Sequence, residues 1–130
     1  MRKISSKYLS AVKPPGPFAN LNIESLDGTK QLKNCPAQVD TAADRTVLPQ
    51  KLIDQLSVQP VGSVNLLGFA GAVLSFPIYR VRVSLPTFTP FEIEVTAHPD
   101  ELWILLGRDV LNRYQIVLDG PTQSFVIFEP

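Results

Sequence analysis

Asp40 ends an apolar stretch and is followed at once by small residues, in the run Ala37-Gln38-Val39-Asp40-Thr41-Ala42-Ala43-Asp44-Arg45-Thr46-Val47-Leu48-Pro49. A carboxylate held at a strand end can act as a general base or acid. Its small neighbours leave room for another backbone or a ligand. Taken alone, the run fits an ordinary turn after a polar strand end equally well. A second run, Trp103-Ile104-Leu105-Leu106-Gly107-Arg108-Asp109-Val110-Leu111, sets an arginine directly after an apolar stretch. A buried guanidinium without a partner is costly, so Arg108 is expected to hold a carboxylate.

Other reactive residue types carry less. Cys35 is the only cysteine and His98 the only histidine. One thiol forms no internal disulfide and no thiol cluster for a metal. Nothing links Cys35 to His98, so Cys35 reads as a small, at least partly buried side chain rather than a nucleophile. His98-Pro99-Asp100-Glu101 is poor metal-ligand evidence with a single imidazole. Trp103 reads as packing.

These groups must be positioned by a chain of 130 residues, 45% hydrophobic and 18% charged, which suits one globular domain rather than a disordered segment. Twelve basic and twelve acidic side chains cancel. No basic block points to nucleic acid. Arg2, Lys3 and Lys7 precede no apolar run, and no stretch nears the roughly 20 apolar residues of a membrane span. A soluble, cytoplasmic protein with no membrane partner is the expectation.

Residues 1–17 read as an arm or linker, because Pro14, Pro15 and Pro17 oppose regular pairing. Residues 18–130 read as the domain. Leu21, Ile23 and Leu26 lead into the turn Asp27-Gly28, and Leu32 to Asp40 returns. Pro49 opens a helical turn through Leu56. Val61 to Leu67 and Ala72 to Leu85 form two strands around Gly68-Phe69-Ala70-Gly71. Tyr79, Val81, Val83 and Leu85 alternate with Arg80, Arg82 and Ser84, and Phe91, Ile93 and Val95 alternate with Glu92, Glu94 and Thr96. That period of two marks half-buried strands, and the opposed charges suit cross-strand neighbours. Leu102 to Leu106 reads as a strand buried on both faces, Asp109 to Tyr114 as a short helix, and Ile116 to Leu118 with Phe125 to Phe128 as a closing hairpin. Many short strands between Gly and Pro turns indicate an all-β barrel or sandwich with one or two short helices.

In order and spacing, the two runs resemble the retropepsin-like aspartic peptidases, the family of retroviral proteases and their cellular and bacterial relatives. The resemblance spans roughly residues 18–129. The family's Asp-Thr/Ser-Gly-Ala-Asp element corresponds to Asp40-Thr41-Ala42-Ala43-Asp44, followed by Thr46-Val47-Leu48. Its apolar-apolar-Gly-Arg-Asp/Asn-Leu element corresponds to Leu105-Leu106-Gly107-Arg108-Asp109-Val110. The resemblance implies an acid-protease barrel with one active-site loop per chain and a two-fold homodimer joined through that loop and the terminal strands. Asp40 would be the catalytic carboxylate. Thr41 would bond across the dimer axis, with Ala42 and Ala43 completing the loop. Asp44 would pair with Arg108 near the groove and the dimer contact. Gly68, Phe69, Ala70 and Gly71 would be the tip of a mobile flap. Phe125 to Phe128 would contribute to a dimer sheet.

The activity so implied is endopeptidase cleavage of an extended peptide or protein, with no metal or organic cofactor. It uses two carboxylates sharing a proton; aspartic proteases are the standard example of such a pair. Asp27, Asp54, Asp100, Asp109 and Asp119 have the wrong followers, so the second carboxylate must be Asp40 of another copy. Gln38, two residues before Asp40 on the same strand face, is a candidate groove residue, as is Arg45, which equally suits a solvated loop. Ala42 replaces the usual glycine, and this departure keeps open a noncatalytic dimerisation or peptide-binding domain of the same fold.

Overall fold

The computed structural model describes residues 1–67 and 69–130, and of Phe69 only the backbone. Its strands are β1 (Arg2–Lys7), β2 (Phe18–Glu24), β3 (Gln31–Val39), β4 (Val47–Pro49), β5 (Gly62–Leu67), β6 (Val73–Ser84), β7 (Phe91–His98), β8 (Ile104–Leu106), β9 (Gln115–Asp119) and β10 (Ser124–Glu129). Two short helices join them, α1 (Gln50–Leu56) and α2 (Arg108–Leu111). One sheet runs β2-β3-β8-β4-β7-β6-β5, and an added β2–β6 pairing closes six of its strands into a barrel, with β5 outside the ring. A second sheet has the order β1-β10-β9.

The alternation read from the sequence decides which faces are buried. Tyr79, Val81, Val83 and Leu85 point inward, as do Ile93, Val95 and Ala97. Leu21, Ile23, Leu48, Leu56, Ile104 and Leu106 complete the barrel core. Burying such a side chain stabilises by about 1.5–3 kcal/mol, so this interior holds the ring together. On the outer face Arg80 opposes Glu94 and Arg82 opposes Glu92, in the cross-strand register expected. Arg82 reaches Glu92 at 3.4 Å and Glu24 at 3.0 Å.

Several boundaries differ from expectation. Arg2–Lys7, read as part of an arm, forms β1 along β10. The prolines that suggested an unpaired segment all follow it, in the 14–17 stretch, and do not interrupt its ladder. Ile4 packs against the core, and Arg2 bridges Glu129 at 3.1 Å. The strand expected from Leu102 starts at Ile104, because Leu102 is 78% exposed. The helix expected at Asp109–Tyr114 is the single turn of α2. Gly68, read as flap tip, lies outside the described residues. The hairpin beside it is formed: β5 and β6 pair from Gly62↔Ile78 to Leu67↔Val73. Leu66, Leu67, Val73 and Leu74 are exposed on it.

Candidate active site

Asp40 leaves the barrel at the end of β3, which runs parallel to β8 with Val39 beside Leu106. Its amide donates to the Leu106 carbonyl at 3.1 Å, extending the ladder by one bond. The chain then turns: Ala42 N donates to Asp40 Oδ1 at 3.1 Å, and Ala43 N donates to the Asp40 carbonyl at 3.2 Å. Asp40 is half-buried, while Thr41 and Ala42 are exposed. One carboxylate therefore sits at the base of an open loop whose tip faces outward.

The corner between β8 and α2 clamps this loop. Arg108 N donates to the Ala43 carbonyl at 2.9 Å, and Arg108 Nη1 donates to the Thr41 carbonyl at 2.8 Å. Gly107 packs so closely that an added Cβ would lie 2.7 Å from the Arg45 carbonyl carbon and 2.9 Å from Thr46 N. Only glycine permits that approach. Thr46 is fully buried. Its hydroxyl donates to Asp109 Oδ1 at 2.7 Å and accepts from Gly107 N at 3.0 Å, while its amide donates to Asp109 Oδ2 at 3.0 Å.

The expected Asp44–Arg108 ion pair does not form. Both side chains are exposed, and the ion pairs of the described residues are Arg2–Glu129, Arg45–Glu94, Arg82–Glu24 and Arg82–Glu92. The premise of a buried guanidinium fails at Arg108. Being exposed, it needs no counter-charge, and its contact is the carbonyl of Thr41. The carboxylate held in this corner is instead Asp109, whose two oxygens accept from the Thr46 amide and hydroxyl. The available signal was Thr46, a hydroxyl in an apolar run that had to be satisfied once buried.

Of the groove candidates, Gln38 is exposed on β3. Arg45 reaches Glu94 at 4.0 Å and lines, with Arg80, Glu92, Asp109 and Arg113, an open cavity of about 430 Å³ on the barrel flank. Gln38 has no place on that wall, so the two candidates do not converge. Cys35 is partly buried, and burial pushes its thiol up. His98 Nδ1 accepts from Asp100 N at 3.1 Å, and its ring stacks on Phe76 at 5.9 Å. Among the described residues no cluster of three or more His, Cys, Asp or Glu side chains is arranged to hold a metal. No helix among them is long and apolar enough to cross a membrane.

No protein-family model matches the sequence, and no curated protein matches it. Solved structures do. A retropepsin-like aspartic protease from Rickettsia conorii aligns with a TM-score of 0.66 at 14% identity, covering 97% of this chain and 90% of that one. EIAV protease, complexed with the inhibitor HBY-793, aligns with a TM-score of 0.52 at 20% identity, over 75% of this chain and 86% of that one. The retroviral protease-like domain of Ddi1 from Leishmania major aligns with a TM-score of 0.51 at 18% identity, over 87% and 90%. A closed barrel, a parallel β3–β8 pair ending at an aspartate and a clamped loop are thus combined here as parts of the retropepsin-like fold, and that is the fold of this chain.

Proposed function

We propose that this chain is one half of an aspartic endopeptidase, completed when a second copy brings its own Asp40 to the first. The observation that carries this reading is the presentation of Asp40: its backbone is pinned to Leu106, its loop is clamped by Gly107–Asp109, and the Thr41–Ala42 tip stands open to solvent. Such a loop is built to hold one carboxylate still while exposing it. Two copies would place like charges close together, which raises the pKa of one and keeps the pair singly protonated. The ionised carboxylate then takes a proton from water as the water oxygen attacks the peptide carbonyl. The protonated carboxyl donates to the carbonyl oxygen; the tetrahedral diol then collapses, the proton taken from water passing to the amide nitrogen as the C–N bond breaks and a diol hydroxyl returning its proton to the other carboxylate. Thr41 links the two loops across the axis. The β5–β6 hairpin, with Leu66, Leu67, Val73 and Leu74 outward, closes over an extended peptide held by strand-like pairing.

The test compares the chain with its Asp40→Asn variant on a mixed peptide library, with and without a transition-state mimic bearing a central hydroxyl. Cleavage that the mimic inhibits and that falls by at least about 10²–10⁴-fold in the variant supports the proposal. Cleavage equal in both sinks it. Ala42, standing where the family's element has glycine, favours a second reading, a noncatalytic domain of the same fold that dimerises or binds peptides. That reading predicts binding of the same peptides with no hydrolysis at any pH.

A further inference from the structure

Where α1 ends, Ser57 adopts a left-handed backbone (φ 55°) that turns the chain off the helix axis. The segment 58–61 then runs to β6, where Val61 N donates to the Ile78 carbonyl at 2.8 Å. Between this segment, the β2–β3 turn and β6 lies an open cavity of about 580 Å³. That size suits a small ligand or a short stretch of peptide. Leu26, Val58 and Val61 line it, and Leu26 is 39% and Val61 59% exposed. None of its wall residues belongs to the Asp40 loop or to the Gly107–Asp109 corner.

Charge on this wall is not balanced from within. Lys30 and Arg80 line the cavity and are exposed, and neither takes part in the ion pairs of the described residues. Arg80 sits opposite Glu94 on β7, but Glu94 bridges Arg45 instead. Asp27 is the one carboxylate among the lining residues, and its Oδ1 already accepts from Ser25 and twice from Thr29. The flank cavity, which Arg80 also lines, differs. There Asp44, Glu92, Glu94 and Asp109 accompany the arginines, and Arg113 lies over the Phe91 ring at 3.8 Å.

We infer that the cavity between α1, the β2–β3 turn and β6 binds an acidic peptide segment of another protein. One apolar side chain of that segment packs against Leu26, Val58 and Val61, and flanking carboxylates meet Lys30 and Arg80. The two cations come from different elements, so a ligand that meets both carries more than one carboxylate. Apolar burial supplies most of the affinity, and the cations select acidic over neutral sequences. The wall is already tied in place, with Ser25 N donating to the Lys30 carbonyl at 3.0 Å and Val61 held to Ile78, so little ordering is needed on binding. The site is independent of hydrolysis at Asp40.

The probes are hexapeptides carrying each arrangement of two glutamates and two leucines between terminal glycines. Glutamine replaces glutamate in a neutral set, and acetate serves as the free anion. Titration into the ¹⁵N-labelled Asp40→Asn chain keeps any hydrolysis from altering the probe. At least one acidic peptide is expected to give saturable amide shifts confined to 25–30, 56–61 and the neighbourhood of Arg80. The neutral set should bind at least about tenfold more weakly. Lys30→Gln and Arg80→Gln should each weaken binding about threefold, and Val61→Asp at least about tenfold, while Lys51→Gln has no effect. All four positions are exposed or lie at the surface of α1, so the remaining spectrum should stay that of the parent. The inference is overturned if no peptide gives saturable shifts, or if the shifts fall on the Asp40 loop and the β5–β6 hairpin instead. Equal binding of the neutral set, or acetate reproducing the shifts at the same concentration, overturns it too.

Discussion

Thr46 shows how one hydroxyl can hold a loop in place. Buried without solvent, it both accepts from Gly107 N and donates to Asp109. Thr46→Val would leave the Gly107 amide unmet and Asp109 Oδ1 with only the Val110 amide, so the chain should lose about 1–3 kcal/mol in denaturant unfolding, while Thr46→Ser should retain most of it. Ala42 calls for a different argument. Positive φ outside glycine occurs, among the described residues, at Asn34, Ser57, Ala70, Thr87 and Gln123, so Ala42 carries no left-handed strain. Its backbone accepts the methyl, so under the proposed function any cost would fall on the bound peptide. Ala42→Gly should therefore lower stability by about 0.4–1 kcal/mol through the unfolded chain, yet raise kcat/KM for peptide cleavage. Unchanged or reduced kcat/KM would clear the methyl of any part in limiting the reaction.

Turns and corners set the elements around that loop. At the β8–α2 corner, Gly107→Ala would drive a methyl into the Arg45–Thr46 backbone, which cannot yield as a flexible side chain would. A loss of about 1–3 kcal/mol is expected, with cleavage falling alongside because the displaced segment is the Asp40 loop. The β2–β3 turn is held differently. Ser25 Oγ donates to Asp27 Oδ1 at 2.7 Å, and Thr29 donates to the same oxygen from its amide and its hydroxyl. These bonds favour the charged form and hold the Asp27 carboxyl down to about 2, with the Ser25 bond first among them. A depressed carboxylate contributes stability above its ordinary range and loses it as pH falls through the folded value. An NMR titration of Asp27 should find its midpoint at about 2, and a midpoint in the ordinary carboxylate range would remove the turn's hydrogen bonds as its cause.

The two sheets make the molecule one body and close its ends together. Glu129 accepts from Thr89 N at 2.8 Å and bridges Arg2, which also donates to the Thr87 carbonyl. Its carboxyl lies below the usual range, chiefly because of the Thr89 amide, with Arg2 adding to it. The contribution of this tie is complete above the unfolded pKa and fades as pH falls through the lower folded value. Stability measured over the acid range should thus fall less steeply in Glu129→Gln than in the parent chain, and parallel curves would show that the tie contributes nothing. Peptide cleavage should follow the shared proton of two carboxylates rather than either alone. In the proposed dimer Ala43 would offer no hydroxyl to the two Asp40 carboxyls, so the rate maximum is expected at weaker acidity than in digestive aspartic peptidases; a maximum at about pH 2 would reject this.

Much of this was legible along the chain. The alternation at Tyr79–Leu85 and Phe91–Thr96 specified two strands, their buried faces and their facing charges, because period-two patterning is written locally. The runs at Asp40 and Gly107 marked the two segments that meet at the site. What they do to each other required tertiary structure. Whether Arg108 needs a carboxylate depends on its burial, and which acid answers Thr46 depends on a contact across 63 residues. Likewise, one edge of β10 goes to β9 across a local hairpin, but the other is taken only because β1, distant in sequence, returns to pair with it. Pattern is a property of neighbours along the chain, whereas burial and edge occupancy are decided by what folds back.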